Sequence, residues 1–523
     1  MNSLAIKLFV IRYYDYIFLF FLLVVVSFVV LYQKVLKKKK ILIKLNKIID
    51  RGPSERMGNL VLVFILVLGF LVRLYGITNP LADWHSFRQA DTASVTRVYL
   101  EEGLNLLYPR YHDYSTTQSG MFNLKGYRFV EFPVYNVVHL LMVKIFPVFS
   151  LEVWGRLVSV FSALVSAYII YLIGRKFISR WGGLFSAFFF LFIPFNIYFT
   201  RVILPEPIMV AFALLALWTF IKFSENDETL YLLGTVVFMA LALLIKPYAF
   251  FYTPPIFYLA WQKYGIKKIF AQKKLLAAGL VATLPFILWR IWMQNFPEGI
   301  PFWQWTLNGD GIRFKPAFWY WLFGERITKL ILGYWGLIPL AFGVMAYKKT
   351  RAFFYFLLVG MLLYMGVIAT ANVRHDYYQT LLIPATSLFL GVGVIEMWNL
   401  KVFNKMAVRG ILIFSLLMFF LVGSFQVKEF YKINHPEIIA AGKAVDRLTP
   451  KDAVIIAAYN GDTAFLYQTR RKGWPVVDRP INELIERGVQ YYVSVNLDHP
   501  QTKEFMEKFE VVERTSQYVI VKL

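Results

Sequence analysis

Hydrophobic residues along this chain run in blocks rather than alternating with polar ones. Apolar stretches lie near 14–32, 58–77, 153–174, 181–199, 205–222, 230–246, 248–262, 275–293, 330–347, 352–370, 379–398 and 408–426. A helix needs roughly 20 apolar residues to cross a bilayer, so the pattern predicts a polytopic α-helical membrane protein. The stretch 248–262 is short and follows its neighbour through Lys246-Pro247. A further apolar stretch, 134–149, carries His139 and Lys144 and is read as a half-buried or interfacial helix. After residue 426 the pattern changes. Short apolar runs at 453–458, 491–495, 509–512 and 518–522 read as strands. Helix-like segments lie between them at 480–487 and 500–508, each opened by a proline. The tail 427–523 is therefore expected to form a small α/β domain.

Composition agrees. Hydrophobic residues make up 58% and charged residues only 17%, against about 25% charged in soluble domains. A soluble enzyme, a disordered chain and a coiled coil are excluded. The absence of cysteine rules out disulfides, thiolate metal sites and a cysteine nucleophile. The net charge of +24 suggests a nucleic-acid partner until the charges are placed. Five short connections, 33–57, 175–180, 263–274, 348–351 and 399–409, carry +21 of it. Short basic connections stay in the cytoplasm, so the charge sets topology and no nucleic acid is implied. The dissenting connection, 223–229, is acidic through Glu225, Asp227 and Glu228, which weigh little in that rule. The loops 78–132 and 294–329 and the tail then share the opposite, extracytoplasmic side, provided that 134–149 does not span. The first stretch lacks a small-residue cleavage site and is followed by Lys37 to Lys40, which read as topology signals, so it is expected to be an uncleaved anchor. The expected organisation is an anchor and basic linker at 1–57, a membrane domain of about eleven spans at 58–426, and an extracytoplasmic domain at 427–523, in the cell (plasma or inner) membrane.

The loop 78–132 is too long to be a mere connection. It contains Asp83-Trp84-His85-Ser86-Phe87-Arg88-Gln89-Ala90-Asp91-Thr92 and ends in Glu131-Phe132-Pro133. From Arg88 to Pro133 it resembles the first outer loop of the GT-C superfamily of polytopic glycosyltransferases, in the branch of protein O-mannosyltransferases and the lipid A aminoarabinose transferase. Arg156-Leu157-Val158-Ser159, Arg201 with Leu204-Pro205-Glu206-Pro207, Lys246-Pro247, Arg374-His375-Asp376-Tyr377-Tyr378, and Gly461-Asp462 through Trp474 extend the resemblance over roughly residues 58–480. The resemblance implies a GT-C fold and an inverting transfer of sugar from a polyprenyl-phosphate donor to a hydroxyl of a lipid, glycan or protein. Many relatives carry an Asp-Glu pair in this loop. Here Asp91 is followed by Thr92, and Asp83 lies upstream. The resemblance favours Asp91 as the base and leaves Asp83 as the alternative.

Such a transfer needs a carboxylate to take the acceptor proton, cations to hold the phosphate, and apolar walls for the isoprenoid. Asp91 is the expected base. Arg88, Arg201, Lys246 and Arg374, near the outer ends of spans or in the outer loops, are the expected phosphate contacts. Glu131, Glu206, His375, Tyr377 and Tyr378 are expected at the substrate, with Glu206 paired to Arg201. No cofactor is required, although a divalent metal on Glu131 and His375 is an alternative in the family. Plainer roles compete at each position. Asp91 could cap a helix through Arg97 to Glu101. Glu131 and Glu206 could be charges at helix starts. Arg374 and His375 could belong to a surface turn. Tyr377, Tyr378 and the aromatics of 294–329 (Trp303, Trp305, Phe318, Trp319, Tyr320, Trp321) read as an interfacial belt. The rival from another class is a transporter or flippase of lipid-linked sugars, which would bury its polar groups near the bilayer midplane. The tail shows no catalytic constellation.

Overall fold

The computed structural model describes residues 53–523. The expected anchor at 14–32 and nearly all of the basic linker lie outside the described residues. The first span, α1 (Glu55–Val72), is followed by α2 (Ser86–Glu102) within the long loop and by α3 (Val134–Ile145). Helices α4 (Leu151–Phe177) and α5 (Arg180–Phe192) pack as a hairpin, as do α6 (Glu206–Asn226) and α7 (Thr229–Ile245). Helix α8 (Lys273–Met293) packs on α7. The second long loop leads to α9 (Leu337–Met345), a helix at Ala352–Val367, α10 (Ile383–Asn399) and α11 (Lys405–Val427).

Seven stretches among the described residues are long and apolar enough to cross a membrane. They match seven of the eleven expected spans in this region. The other four are short or broken, and proline explains three of them. The stretch 181–199 breaks at Ile193 before Pro194. Helix α7 stops at Lys246 before Pro247, because a residue preceding proline is pushed out of the helical region. The stretch 248–262 is a tight turn, Pro247–Tyr252, then a helix opened by Pro254. From 330–347 only the nine residues of α9 are α-helical. Helix α3 has 12 residues, roughly 18 Å of helix against a hydrocarbon core of about 30 Å. On its own it is shorter than a span, as are α5 and α9.

Local signals set the helix ends. Ser150 caps α4 by accepting from the Val153 amide, with Glu152 in the first turn and Arg175 and Lys176 in the last. Arg175 faces Glu55 at 3.5 Å, Lys176 pairs with Glu225, and Lys263 reaches Asp227 at 2.6 Å. The acidic connection 223–229 thus sits among the basic ones, at one end of the bundle. Where α9 crosses α10, a Cβ at Gly343 would lie 1.9 Å from the Phe389 carbonyl oxygen, and one at Gly393 would lie 1.8 Å from that of Pro339. Only glycine lets these backbones approach so closely.

The tail is a five-stranded sheet with helices between strands. The strands are β1 (Val454–Ala458), β2 (Lys472–Trp474), β3 (Val489–Ser494), β4 (Glu510–Arg514) and β5 (Val519–Lys522), in the order β2-β1-β3-β5-β4. β1 is parallel to β2 and β3, while β5 is antiparallel to β3 and β4. The three-residue β2 is too short to show a strand pattern in the sequence. Between β1 and β2 lies α12 (Thr463–Gln468).

The tail is docked on the long loop. The Tyr114 amide donates to the Gly473 carbonyl at 2.7 Å, and the Gly473 amide to the His112 carbonyl at 2.9 Å. The loop thus adds a short strand to the edge of β2. Gly473 has φ +149°, and a Cβ there would meet the Ile455 carbonyl oxygen at 1.8 Å. The Arg97 guanidinium lies 3.6 Å over the Tyr467 ring, and the Tyr467 hydroxyl donates to Glu152 at 2.7 Å.

Two carboxyls in this seam are held out of water. Burial pushes Asp113 up to about 6, and it pushes Asp462, the cap of α12, up to about 6 as well. Ionising such groups costs stability, so the seam is firmest below their ordinary value of 3.8 and loosens as pH rises through about 6. Amide protection factors at Tyr114 and Gly473 are expected to fall from about pH 4.5 to about pH 7 and to stay flat in a D113N/D462N variant. An equal fall in that variant would clear both carboxyls of this role. Separately, G393A should force α9 and α10 apart at a cost of about 1–3 kcal/mol, read as a lower melting temperature in detergent. An unchanged melting temperature would contradict the close crossing.

Candidate active site

Helix α2 is polar around its whole circumference, yet eleven of its 17 residues are buried. Its side chains must therefore find partners inside the protein. It begins after His85, which adopts the left-handed conformation (φ 55°). The His85 ring and the Trp84 indole N–H both bind the Asp376 carboxylate, the latter at 3.0 Å. Arg88 and Asp91, three residues apart, project from one face. Arg88 pairs with Glu131. Asp91 Oδ2 accepts from Arg128 Nη2 at 2.7 Å, and Asp91 Oδ1 accepts from Thr463 Oγ1 at 2.7 Å. Asn136 of α3 donates to the Thr92 carbonyl at 2.8 Å and ties the two helices together.

Arg88, Asp91, Arg128 and Glu131 border a cavity of about 200 Å³. Asp91, Arg88, Arg128, Glu131, Lys246 and Arg290 supply its charges. Trp303, Trp305, His375, Tyr377, Tyr378 and Tyr248 supply much of its aromatic wall. Lys246 reaches it because Pro247 ends α7 there, with Lys246 extended (φ −148°, ψ 131°). Its ammonium pairs with Glu206, stands 3.7 Å from Glu131 and lies 5.1 Å from the Tyr378 ring centre. Burial pushes the His375 imidazole down to about 4, so at neutral pH it is a neutral hydrogen-bonding group. It stacks with Tyr377, ring centres 5.5 Å apart.

Of the residues expected at the site, Asp91, Arg88, Glu131, Lys246, His375, Tyr377 and Tyr378 converge on this cavity. Asp91 lies inside α2 and caps nothing, because the helix starts five residues earlier. Glu206 stands behind the wall, holding Lys246 rather than Arg201. Arg201 and Asp83 are apart from the cavity. Their side chains are fully buried and form a 2.6 Å ion pair with each other. Arg201 also donates to the Tyr75 and Gly76 carbonyls, which leaves it unsuited to a phosphate. Asp83 is likewise unsuited as a base. Arg374 is exposed, 3.8 Å from Asp310 and 5.6 Å over the Trp305 ring, at the edge of the wall. Trp303 and Trp305 line the cavity, Phe318 is fully buried rather than in a belt, and Trp319, Tyr320 and Trp321 are exposed, as is Trp303.

Two charged cavity residues escaped the sequence. Arg128 lies in the irregular part of the loop. Arg290 is hidden inside the apolar run of α8. Arg290 forms no ion pair among the described residues, unlike Arg88, Arg128 and Lys246, each of which has a carboxylate partner. Among the described residues no group of three or more His, Asp or Glu is placed to hold a metal. Glu131 already faces two cations. The donor set of Glu131 and His375 does not make a metal site by itself.

Residues 131–292 match the family model described as dolichyl-phosphate-mannose-protein mannosyltransferase. Comparison with curated protein sequences returns no match. The structure is similar to that of ArnT from Cupriavidus metallidurans, solved bound to undecaprenyl phosphate. The TM-score is 0.61 at 12% identity, covering 88% of this chain and 97% of that one. It is also similar to the oligosaccharyltransferase of Archaeoglobus fulgidus, solved with a tethered acceptor peptide. There the TM-score is 0.55 at 10% identity, covering 83% of this chain and 69% of that one. The chain thus shares the fold of these two structures over most of its length, and its residues 131–292 match the mannosyltransferase family model.

Proposed function

We propose that the protein transfers a sugar from a polyprenyl-phosphate donor to a hydroxyl of a lipid, glycan or protein, with inversion, on the extracytoplasmic side. One observation carries this reading: Asp91 and Arg290, the cavity cation that forms no ion pair among the described residues, border the same small aromatic-walled cavity. The cavity is smaller than the 300–1,000 Å³ typical of pockets for drug-sized ligands. It suits a sugar and its phosphate, while the isoprenoid lies along the exposed apolar helix faces. ArnT bound to undecaprenyl phosphate is consistent with a donor of that class.

The chemistry follows from the charges. Four cations and two carboxylates line the cavity, an excess that favours an anionic donor. Asp91 takes the proton of the acceptor hydroxyl as its oxygen bonds to the anomeric carbon. The bond from that carbon to the phosphate oxygen breaks, and the phosphate leaves with the electron pair. Arg290 stabilises the growing phosphate charge, supported by Arg88 and Lys246. Attack and departure on opposite faces in a single displacement invert the anomeric carbon.

With purified protein and polyprenyl-phosphate sugars, D91N should lower transfer by at least about 100-fold. R290Q should lower kcat by roughly 10- to 100-fold. Undiminished transfer by D91N would remove Asp91 as base, and undiminished transfer by R290Q would remove Arg290 from the phosphate. Wild-type protein that carries lipid-linked sugar across vesicles without transferring it would establish the transporter reading instead.

A further inference from the structure

The C-terminal domain reaches the centre of the site. We propose that it is a working part of the active site, with Thr463 as the positioning residue that fixes the Asp91 carboxylate. This inference rests on the reading of Asp91 as the base.

Asp91 is held by two donors from opposite ends of the chain. Arg128 of the long loop binds Oδ2 at 2.7 Å, and Thr463 of the tail binds Oδ1 at 2.7 Å. With both oxygens engaged, the carboxylate cannot turn about its Cβ–Cγ bond without losing a hydrogen bond. A carboxylate offers about four lone-pair positions. Two are used here, and the others remain for an acceptor proton. With Arg128 alone, Oδ1 would be free to swing, and misalignment by even a fraction of an ångström is costly for a proton-transfer group.

Thr463 is built for this task. Its hydroxyl has one proton and two acceptors in reach, the Asp91 carboxylate at 2.7 Å and the Phe87 carbonyl at 3.4 Å. The shorter bond to a charged oxygen is the stronger. Thr463 is buried, and its β-branched side chain has little rotamer freedom. Its neighbours pin its backbone. Asp462 caps α12 by accepting from the Ala464 amide at 2.7 Å, and His112 of the long loop donates to the Thr463 carbonyl at 3.2 Å. Burial pushes His112 down to about 4, so it is a neutral donor at physiological pH. Thr463 does not line the cavity and acts only through Asp91.

The test uses the full-length protein. T463V keeps the shape and removes the hydroxyl, whereas T463S keeps the hydroxyl. T463V is expected to lower kcat about 10-fold with donor KM within about twofold. T463S should stay close to wild type, and T463V should add nothing further in a D91N background. If T463V is not recovered folded, T463A against T463S makes the same comparison. Wild-type kcat in T463V beside an inactive D91N would overturn the role of Thr463 and leave the base in place. Equal losses in the hydroxyl-bearing and hydroxyl-free variants would also overturn it. A fully active D91N would instead remove the base itself.

Discussion

The structure turns on a helix that is polar on every side and buried on nearly every side. An unpartnered polar group in such a setting costs about 1–3 kcal/mol, and more if charged. The surroundings of α2 are therefore dictated by its side chains. Asn136 is required by the Thr92 carbonyl, Arg128 and Thr463 by Asp91, Glu131 by Arg88, and Tyr467 by Arg97. These partners come from three segments outside the helix. Satisfying one helix thus draws the end of the long loop, α3 and the C-terminal domain around it, and the cavity is the space they leave.

A second layer of buried cations holds the start of the long loop in place. Arg73 donates to the Gly69 and Leu191 carbonyls and to Thr200. Arg156 donates to the carbonyls of Ile77 and Asn79, and Arg201 to those of Tyr75 and Gly76. These arginines serve the backbone where α1 gives way to irregular chain that has no ladder of its own. The division of labour is clear from the partners. Arginines spent on carbonyls and Asp83 build the scaffold, while Arg290, which forms no ion pair among the described residues, borders the cavity.

The sequence revealed what depends on composition and local order. Seven of the apolar runs became helices of spanning length, and Lys246-Pro247 marked a real helix end. Pairings across space were less accessible. Arg201 and Glu206 are near neighbours in sequence and looked like partners, but Arg201 binds Asp83 and Glu206 binds Lys246. Arg290 was masked by the apolar residues around it, although a charge inside a span is itself a functional signal. Thr463 gave no local sign at all. Nothing in Gly461-Asp462-Thr463 says where its hydroxyl points, and the tail lacked a visible constellation because it contributes one side chain to a site built elsewhere.

The bond between Thr463 and Asp91 joins residues 372 positions apart. Every span between them must be inserted before it can form. At ribosomal speeds of 5–20 residues per second, roughly 20 to 75 s separate the synthesis of the two residues. During that interval the nascent chain holds the carboxylate but lacks one of its two donors. The order of synthesis thus makes completion of this centre among the last events of biogenesis, and it ties maturation of the membrane bundle to the folding of a small sheet domain.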